Sequence, residues 1–160
     1  MTRALGLLFA VWLFGAAAPA SADAGAVSPR AFDSARLAVE GNGRRVAYTV
    51  ELARTNDERQ QGLMGRRTLA DDAGMLFDFG VAQPVAMWMR NTYVALDMLF
   101  ADDAGGVVEV IENTTPLSEA LLMPRVPVRY VLELRAGQVA RHGFAVGDRL
   151  RLPGAVRAAP

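Results

Sequence analysis

The sequence of 160 residues contains no cysteine, no lysine and a single histidine, His142. Without cysteine the chain has no disulfide, no thiol nucleophile and no cysteine-ligated zinc or iron–sulfur cluster. A lone histidine excludes sites that need two, such as the zinc site of an H-E-x-x-H protease. The candidate sites are therefore built mainly from carboxylates, arginines, methionines and a tryptophan.

Charge of either sign is not in excess. All 17 basic residues are arginines, and they are balanced by 17 acidic residues, with a sequence pI of about 6.6. Proteins that bind nucleic acid through the phosphate backbone carry an excess of positive charge. The composition therefore predicts that nucleic acid is not a partner.

The N terminus has the three parts of a secretory signal peptide. Arg3 gives a positive start, residues 4–18 are uncharged and apolar, and Ala20-Ser21-Ala22 is an A-x-A cleavage site. The apolar run is shorter than the roughly 20 residues that span a bilayer, which favours cleavage over a retained anchor. We therefore expect a periplasmic or secreted protein with no membrane span after cleavage.

Four segments follow from this pattern. Residues 1–22 are predicted to be the signal peptide, 23–35 a flexible lead-in, 36–152 a single domain and 153–160 a tail. The lead-in is small and polar, and the tail reads PGAVRAAP, as is common at frayed termini. The domain is long enough to be stabilised by a hydrophobic core without cross-links.

Apolar residues alternate with polar ones through most of the domain, which is typical of half-buried strands. Residues 46–52 show this pattern, and Asn42-Gly43 predicts a hairpin turn to the strand before it, which holds Leu37 and Val39. Further strands are predicted at Gly74–Phe79, Val85–Met89, Leu96–Ala101, Val107–Glu112, Val128–Leu134 and Asp148–Leu152.

Two short helices interrupt the strands. Thr55 and Glu58 have the spacing of a capping box, so a helix should begin after Thr55 and end near Gly62. A second helix is predicted at about Ala136–His142, closed by Gly143. Seven to eight short strands with two short helices predict a mainly β protein, α+β by strict count, folded as a small barrel-like sheet, with a sandwich as the alternative.

The stretch Val85–Phe100 has the highest density of candidate site residues. Alternation places Ala86, Trp88 and Arg90 on one face of the predicted strand, and Asn91 and Thr92 follow at its end. Asp97 then lies inside an apolar strand, in phase with Leu99. A carboxylate in that position is either a structural group bonded to a loop or an arginine, or a carboxylate in a pocket.

Arg59, on the first predicted helix, has two interpretations. Its guanidinium could bind a carboxylate or phosphate in a bidentate manner. It could instead pair with Asp97 or Glu133 and stabilise the core.

Methionines allow a soft-metal hypothesis. Thioethers select Cu(I), Met87 and Met89 lie on one face of the predicted strand, and His142 could add a nitrogen. The alternative is that the methionines fill the core, as they commonly do.

Conventional catalysis has little support in the sequence. No serine lies in a G-x-S-x-G elbow, and neither a Walker A motif nor G-x-G-x-x-G is present. A hydrolase or lyase could use Asp97 with Glu133 or Glu58, since paired carboxylates serve as acid and base.

A series of motifs, in order along the chain, resembles the domain of unknown function number 192 family. The resemblance covers roughly residues 44–152 and implies a compact barrel-like β fold with short helices and no known activity. Separately, we expect no cofactor. It is carried by Glu58-Arg59, Gly62-Leu63-Met64, Arg66, Gly74-Met75-Leu76-Phe77, Trp88-Met89, Asn91-Thr92, Leu96-Asp97, Phe100, Pro116, Tyr130-Val131-Leu132-Glu133, Ala136-Gly137 and Gly147-Asp148.

The resemblance also indicates where a site should be sought. The family pattern has no histidine at position 142, which weakens the copper hypothesis, and it usually has another basic or polar residue at Arg90. The motif residues that are not obviously core are Arg59, Trp88, Asn91, Thr92, Asp97 and Glu133.

Four hypotheses about function are therefore open. The first is an exported, non-enzymatic module that binds a small ligand, a peptide or an envelope component through the region from Trp88 to Asp97. The second is the hydrolase or lyase, and the third is Cu(I) or Ag(I) binding by Met87, Met89 and His142. The fourth is that the motif residues only specify the fold. The sequence does not indicate an oligomeric state.

Overall fold

Seven strands form one curled sheet in the computed structural model, which describes residues 31–157. The predicted signal peptide, most of the lead-in and residues 158–160 lie outside the described part. The elements are β1 (Ser34–Gly41), β2 (Arg44–Ala53), α1 (Asn56–Gln61), β3 (Ala73–Gln83), β4 (Leu96–Ala101), β5 (Val107–Ile111), β6 (Val128–Arg135), α2 (Gln138–His142), β7 (Arg149–Arg151) and α3 (Gly154–Arg157).

The first hairpin forms as the sequence predicts. Gly41 pairs with Arg44, so Asn42 and Gly43 make a two-residue turn, and both have positive φ angles of 49° and 74°. Positive φ at both central positions matches the right-handed twist of the flanking strands. The alternating residues of β1 and β2 consequently bury Leu37, Val39, Tyr48, Val50 and Leu52 on one face.

Strand β6 is an interior strand of the sheet, whose order is β5-β4-β6-β3-β2-β1-β7. It pairs antiparallel with β3 on one side and β4 on the other. Strands β2 and β3 are parallel, and the chain segment that crosses between them carries α1. That crossover places α1 over one end of the sheet.

The sheet curls until its two edge strands meet. Gly106 forms a bridge with Arg149, and the Leu150 N–H donates to the Gly105 carbonyl oxygen at 2.7 Å. The Val107 N–H donates to the Asp148 carbonyl oxygen at 2.8 Å. These bonds join β5 to β7 at one end, and the predicted barrel-like, mainly β fold is confirmed.

Each face of the sheet carries its own apolar cluster. On the inner, concave face Leu132 and Leu134 of β6 pack with Leu76 and Leu99. On the outer face Val131 of the same strand packs with residues such as Met75, Met98 and Phe100. The central strands are therefore buried on both sides, so their residues alternate between two apolar environments.

One predicted strand is absent from the sheet. Residues 85–89 are extended, and Val85, Met87 and Met89 are buried while Ala86 and Trp88 are exposed, which confirms the predicted alternation. Among the residues that the structure describes, however, their only β-bridge joins Met87 to Leu122. The segment instead packs on the outer face of the sheet, where Met87 and Met89 belong to the outer cluster.

The boundaries of the domain also differ from the prediction. Strand β1 begins at Ser34, within the predicted lead-in, and Ser34 pairs with Glu51. The predicted tail includes α3, and Val156 of α3 is completely buried in the inner cluster. Both segments are rich in small residues, which give no clear apolar pattern from which a strand or a helix could be predicted. Among the residues that the structure describes, no helix is long and apolar enough to span a membrane.

Candidate functional site

A cavity of about 390 Å³ opens on the outer face of the sheet, between α1, β3 and the segment 86–92. Its floor is formed by Phe77 of β3 and Glu133 of β6. Ligand sites are usually concave and apolar, with a few polar groups that orient the ligand. The residues that line the cavity are Asn56, Arg59, Gln60, Gln61, Gly62, Leu63, Met64, Phe77, Phe79, Ala86, Met87, Trp88, Arg90, Thr92 and Glu133.

Helix α1 is held in place by the predicted capping box. The Glu58 N–H donates to Thr55 Oγ1 at 3.2 Å, and the Thr55 N–H donates to Glu58 Oε2 at 2.8 Å. At the other end Gly62 has a φ of 44°, and a Cβ there would lie 3.1 Å from the Phe77 ring. The glycine therefore allows α1 to end directly against the floor of the cavity.

Arg59 forms no ion pair with Asp97, Glu133 or any other carboxylate of the described residues. Its Nη1 donates to the backbone oxygens of Asp78, at 2.7 Å, and of Arg54, and its Nη2 donates to the Asn56 side chain. Its guanidinium also lies over the Phe79 ring, 5.3 Å from the centroid. The side chain is thus fixed at the cavity wall with its positive charge uncompensated.

Glu133 is the buried acid of the cavity. Its residue is 3% exposed, and its carboxyl group makes no hydrogen bond or ion pair with the described residues. Burial raises the pKa of the Glu133 carboxyl from 4.5 to about 8 because the charged form loses its hydration. Glu133 therefore presents a neutral, unpartnered carboxyl group to the cavity at neutral pH.

Trp88 and Arg90 form the outer rim. Trp88 is 39% exposed, and the Arg90 guanidinium lies over its ring, 5.5 Å from the centroid. Backbone bonds from Met89 to Ser118 and between Met87 and Leu122 hold this segment against residues 118–122. The indole is therefore presented at the cavity mouth by a fixed backbone.

Thr92 and Asn91 follow the rim and have different roles. Thr92 is buried and lines the cavity. Asn91 does not line it: its side chain is exposed, its φ is 55°, and its carbonyl accepts the Gly65 N–H at 2.8 Å. Asn91 thus joins the loop after α1 to the rim through its backbone.

Asp97 lies outside the cavity. It is fully buried on the inner face, where Oδ1 accepts the Asn113 N–H at 2.9 Å and Oδ2 accepts the Val139 N–H at 2.8 Å. Asp97 pairs across the ladder with Leu134, whereas Glu133 pairs with Met98. The two carboxylates thus lie on opposite faces of the sheet, and Asp97 has the structural role of anchoring α2 and a loop.

Glu58 is also occupied elsewhere. Its Oε2 accepts the N–H groups of Arg54 and Thr55, both at 2.8 Å, and the bond from the Thr55 backbone is the largest cause of its lowered pKa. Neither carboxylate pair of the hydrolase or lyase hypothesis converges, because only Glu133 of the three acids faces the cavity.

The three proposed copper ligands are not brought together. Met87 lines the cavity, and the sulfur of Met89 accepts a bond from Thr114 Oγ1 at 3.2 Å on the outer face. His142 stacks on Phe144, which belongs to the inner cluster, with the ring centroids 5.4 Å apart. Desolvation lowers the pKa of His142, and Arg141 and Arg44 lower it further. Within residues 31–157 no three acidic or histidine side chains cluster in a way that could hold a metal ion.

Several cavity residues are absent from the candidates found in the sequence. Leu63, Met64 and Phe77 belong to the ordered motifs, but as apolar residues they are expected in the core, and Phe79 is expected only as the last residue of a predicted strand. Leu63 and Met64 could have been identified from their position directly after a capped helix. Phe79 could have been identified because it lies two residues after Phe77 on β3, on the same face. The structure brings together Arg59, Trp88, Thr92 and Glu133 of the predicted site residues and leaves out Asn91 and Asp97.

Comparison with known families gives a match over residues 37–152 to DUF192, a family described as Uncharacterized ACR. Two crystal structures resemble the fold. A proposed transcription regulator from Sinorhizobium meliloti 1021 is 48% identical, with a TM-score of 0.76 over 81% of this chain and 99% of that chain. A protein of unknown function from Novosphingobium aromaticivorans DSM 12444 is 32% identical, with a TM-score of 0.73 over 79% of this chain and 95% of that chain. A search among curated proteins gives no match.

Proposed function

The chain belongs to the DUF192 family of uncharacterised proteins, and from that premise we propose that it is an exported module that binds a small ligand in the α1 cavity. In this proposal the protein acts without a cofactor, in the periplasm or outside the cell. The ligand enters past Trp88 and reaches Glu133 at the floor.

The observation that carries the proposal is the unpartnered carboxyl group of Glu133. Buried polar groups in folded proteins nearly always have a hydrogen-bond partner, because leaving one unpaired costs about 1–3 kcal/mol. Glu133 has no such partner among the described residues, and its carboxyl group lines a cavity of ligand size. Its oxygens are not among the fully enclosed atoms without a partner, so they are accessible from the cavity. A ligand that bonds to this carboxyl group would supply the missing partner.

Binding fits the cavity better than hydrolysis by two carboxylates. General acid and base catalysis by a carboxylate pair needs both groups at the substrate, and Glu133 is the only acid among the residues that line the cavity. Fixed polar groups set in apolar walls are what a binding site requires.

Export is supported by the sequence of residues 1–22, and the absence of a nucleic-acid partner by the charge balance. The Sinorhizobium meliloti relative carries the name of a transcription regulator, but this chain has as many acidic as basic residues. Backbone contacts to DNA depend on an excess of basic groups, so we do not extend that role to this chain.

A thermal-shift screen of small molecules tests ligand binding. A ligand at 100 times its Kd adds about 2.7 kcal/mol to the stability of the folded state, which shifts Tm by several degrees. We expect at least one compound to raise Tm of the wild type and of Tyr93→Ala but not of Trp88→Ala. Tyr93 is the matched control because its exposed fraction, 41%, is similar to the 39% of Trp88, and because it does not line the cavity.

Two results would contradict the binding proposal. One is a panel of acids, amines, alcohols, sugars and peptides in which no compound shifts Tm. The other is stabilisation of Trp88→Ala to the same extent as the wild type, which would place the ligand outside this cavity.

Expression of the full chain in a bacterial host tests export. We expect the protein in the periplasmic or extracellular fraction, with an N terminus at Asp23 by mass spectrometry. A cytoplasmic protein that retains residues 1–22 would overturn this part of the proposal, and an Ala22→Arg variant should block processing because the cleavage site needs a small residue.

A further inference from the structure

We infer that the ligand of the α1 cavity is a small organic carboxylate with an aromatic or apolar body, bound at its carboxylate by Arg59, with the Glu133 carboxyl group lining the same cavity. This inference rests on the proposed function and adds the chemical class of the ligand.

The charges that face the cavity favour an anion. Arg59, Arg90 and Glu133 are the only charged or ionisable side chains among the lining residues. Arg59 has no carboxylate partner, and the nearest carboxylate to Arg90 is Glu119 at 3.8 Å, in a pair whose members are both more than half exposed. Since the Glu133 carboxyl is neutral at neutral pH, two positive charges are opposed by none inside the cavity.

The free donors of Arg59 match a carboxylate. Nη1 donates to two backbone oxygens and Nη2 to one side-chain oxygen, while Nε makes no bond with the described residues. The N–H of Nε and the second N–H of Nη2 are therefore available. Adjacent guanidinium donors of this kind bind the two oxygens of a carboxylate in parallel.

Glu133 in its neutral form complements this arrangement. A protonated carboxyl group has one O–H donor and no charge, so it can bond to a polar atom of the ligand without repelling the anion that Arg59 holds. The apolar neighbours of Glu133 across the ladder are Met75 and Met98, so no other strand residue supplies a charge to it. Ionisation of Glu133 would place two negative charges in one cavity and weaken binding.

The walls suit an aromatic or apolar body. Phe77, Phe79 and Trp88 line the cavity, with Met87 beside them. Aromatic pairs and sulfur–aromatic contacts stabilise a bound aromatic ring beyond the burial of apolar area. Arg59 lies over Phe79, so the cationic and aromatic parts of the site are adjacent. This matches a short aryl acid, in which the carboxylate lies close to the aromatic ring.

A matched series of ligands tests this inference. The probes are 3-phenylpropionate, 3-phenylpropanol, 3-phenylpropylamine and phenyl phosphate, which share an aromatic ring and differ in the terminal group. In a full-length Trp12→Phe background Trp88 is the only tryptophan, so its fluorescence reports binding at the cavity mouth. We expect 3-phenylpropionate to bind at least about tenfold more tightly than the other three.

Variants assign the effect to the two residues. Arg59→Met should weaken binding of the acid at least about tenfold and leave binding of the alcohol unchanged, and Arg67→Met is the control, because Arg67 packs on Tyr93 outside the cavity. Arg59 also ties α1 to β3, so Arg59→Lys, which keeps the charge but not the paired donors, gives a second measurement if Arg59→Met does not fold.

The pH dependence isolates Glu133. Affinity of the wild type for 3-phenylpropionate should fall between about pH 7 and about pH 9 as Glu133 ionises, since Arg59 and Arg90 stay charged over that range. Glu133→Gln, which keeps a donor but cannot ionise, should bind the acid with the same affinity at both pH values.

Three results would overturn the inference. Equal or tighter binding of the alcohol, the amine or the phosphate, with a Trp88 response, would leave the proposed function in place and refute the ligand class. Absence of a Trp88 response to every probe at millimolar concentration would refute the class as well, and the broader Tm screen would then decide separately whether the cavity binds anything. Loss of acid binding in Arg67→Met would place the anion site elsewhere.

Discussion

At the scale of single residues, two buried acids one position apart in register have opposite roles. Asp97 accepts two backbone N–H groups and holds α2 and a loop to β4. Glu133 accepts none and faces a cavity. Burial alone therefore does not identify a functional acid in this protein; the presence or absence of partners does, because an unpaired buried carboxyl destabilises the fold.

Replacement of Glu133 by glutamine should change the pH dependence of stability. The unfolded carboxyl ionises near 4.5, while the folded one keeps its proton up to a pKa of about 8. Between these values the folded state binds more protons, so wild-type stability falls as pH rises. Glu133→Gln removes this effect. Its free energy of unfolding should therefore rise relative to that of the wild type by at most about 1.4 kcal/mol per pH unit from pH 5 to pH 8.

Urea unfolding at several pH values measures this difference. Glu119→Gln is the control, because the Glu119 side chain is 71% exposed at the surface and its neutralisation should leave the pH profile unchanged. Parallel profiles for the wild type and Glu133→Gln would show that Glu133 is hydrated in the folded protein.

Replacement of Asp97 should unfold or strongly destabilise the protein. Asp97→Ala leaves the buried N–H of Val139 and the part-buried N–H of Asn113 without their acceptor, which should cost about 2–4 kcal/mol. Asp97→Asn keeps one acceptor oxygen and should cost clearly less. Denaturant midpoints and Trp88 fluorescence report both, and an Asp97→Ala variant within about 0.5 kcal/mol of the wild type would contradict the structural role.

At the scale of elements, a helix of six residues is held in place by its cap and by what lies beneath it. Helix α1 has no buried residue of its own, so apolar packing contributes little to its stability. The Thr55–Glu58 box, the bonds of Arg59 to the backbone of β3 and the contact of Gly62 with Phe77 fix it over the cavity. Loss of the cap should therefore affect the site as well as the helix.

Replacement of Thr55 by alanine tests that link. It removes the acceptor for the Glu58 N–H and should reduce stability by about 1 kcal/mol. Thr68→Ala is the matched control, because Thr68 is exposed and lies outside any helix or strand. Chemical denaturation gives the stability, and hydrogen exchange of residues 56–62 should increase in Thr55→Ala alone; equal effects in both variants would show that the cap is not what holds α1.

At the scale of the whole molecule, the curl of the sheet depends on a close approach of its two edges. Gly105 and Leu150 bring the β4–β5 turn against β7 through a backbone bond of 2.7 Å. A Cβ at Gly105 would lie 2.6 Å from the Leu150 carbonyl oxygen. The closure therefore requires glycine for space as well as for its φ of 80°.

A pair of glycine variants separates these two requirements. Gly105→Ala and Gly80→Ala both place alanine at a positive φ, of 80° and 84°, but a Cβ at Gly80 would meet nothing within 4 Å. We expect Gly105→Ala to cost about 1–3 kcal/mol more than Gly80→Ala, because only the former overpacks the closure. Equal unfolding free energies would show that the edges separate at little cost.

Much of the fold could be predicted from the sequence because it depends on local patterns. The alternation of apolar and polar residues predicts most strands. Neighbouring residues predict the Asn42-Gly43 turn and the Thr55 cap, and both are confirmed. The ordered motifs predict the family, which is also confirmed. The prediction that residues 85–89 form a strand of the sheet is wrong, although buried and exposed side chains do alternate along this segment. Whether an extended segment joins a sheet depends on a free edge, which is not a local property.

The sequence by itself thus determined the mainly β class, the capped helix, the family and the face on which each strand residue lies relative to its neighbours. Only the tertiary structure decided that Asp97 is bonded and Glu133 is not, that Arg59 has no acid partner, and that His142 is on the opposite side of the sheet from Met89. The reason is that partners come from strands and loops far apart in the chain, whose register a single sequence does not encode in any local pattern.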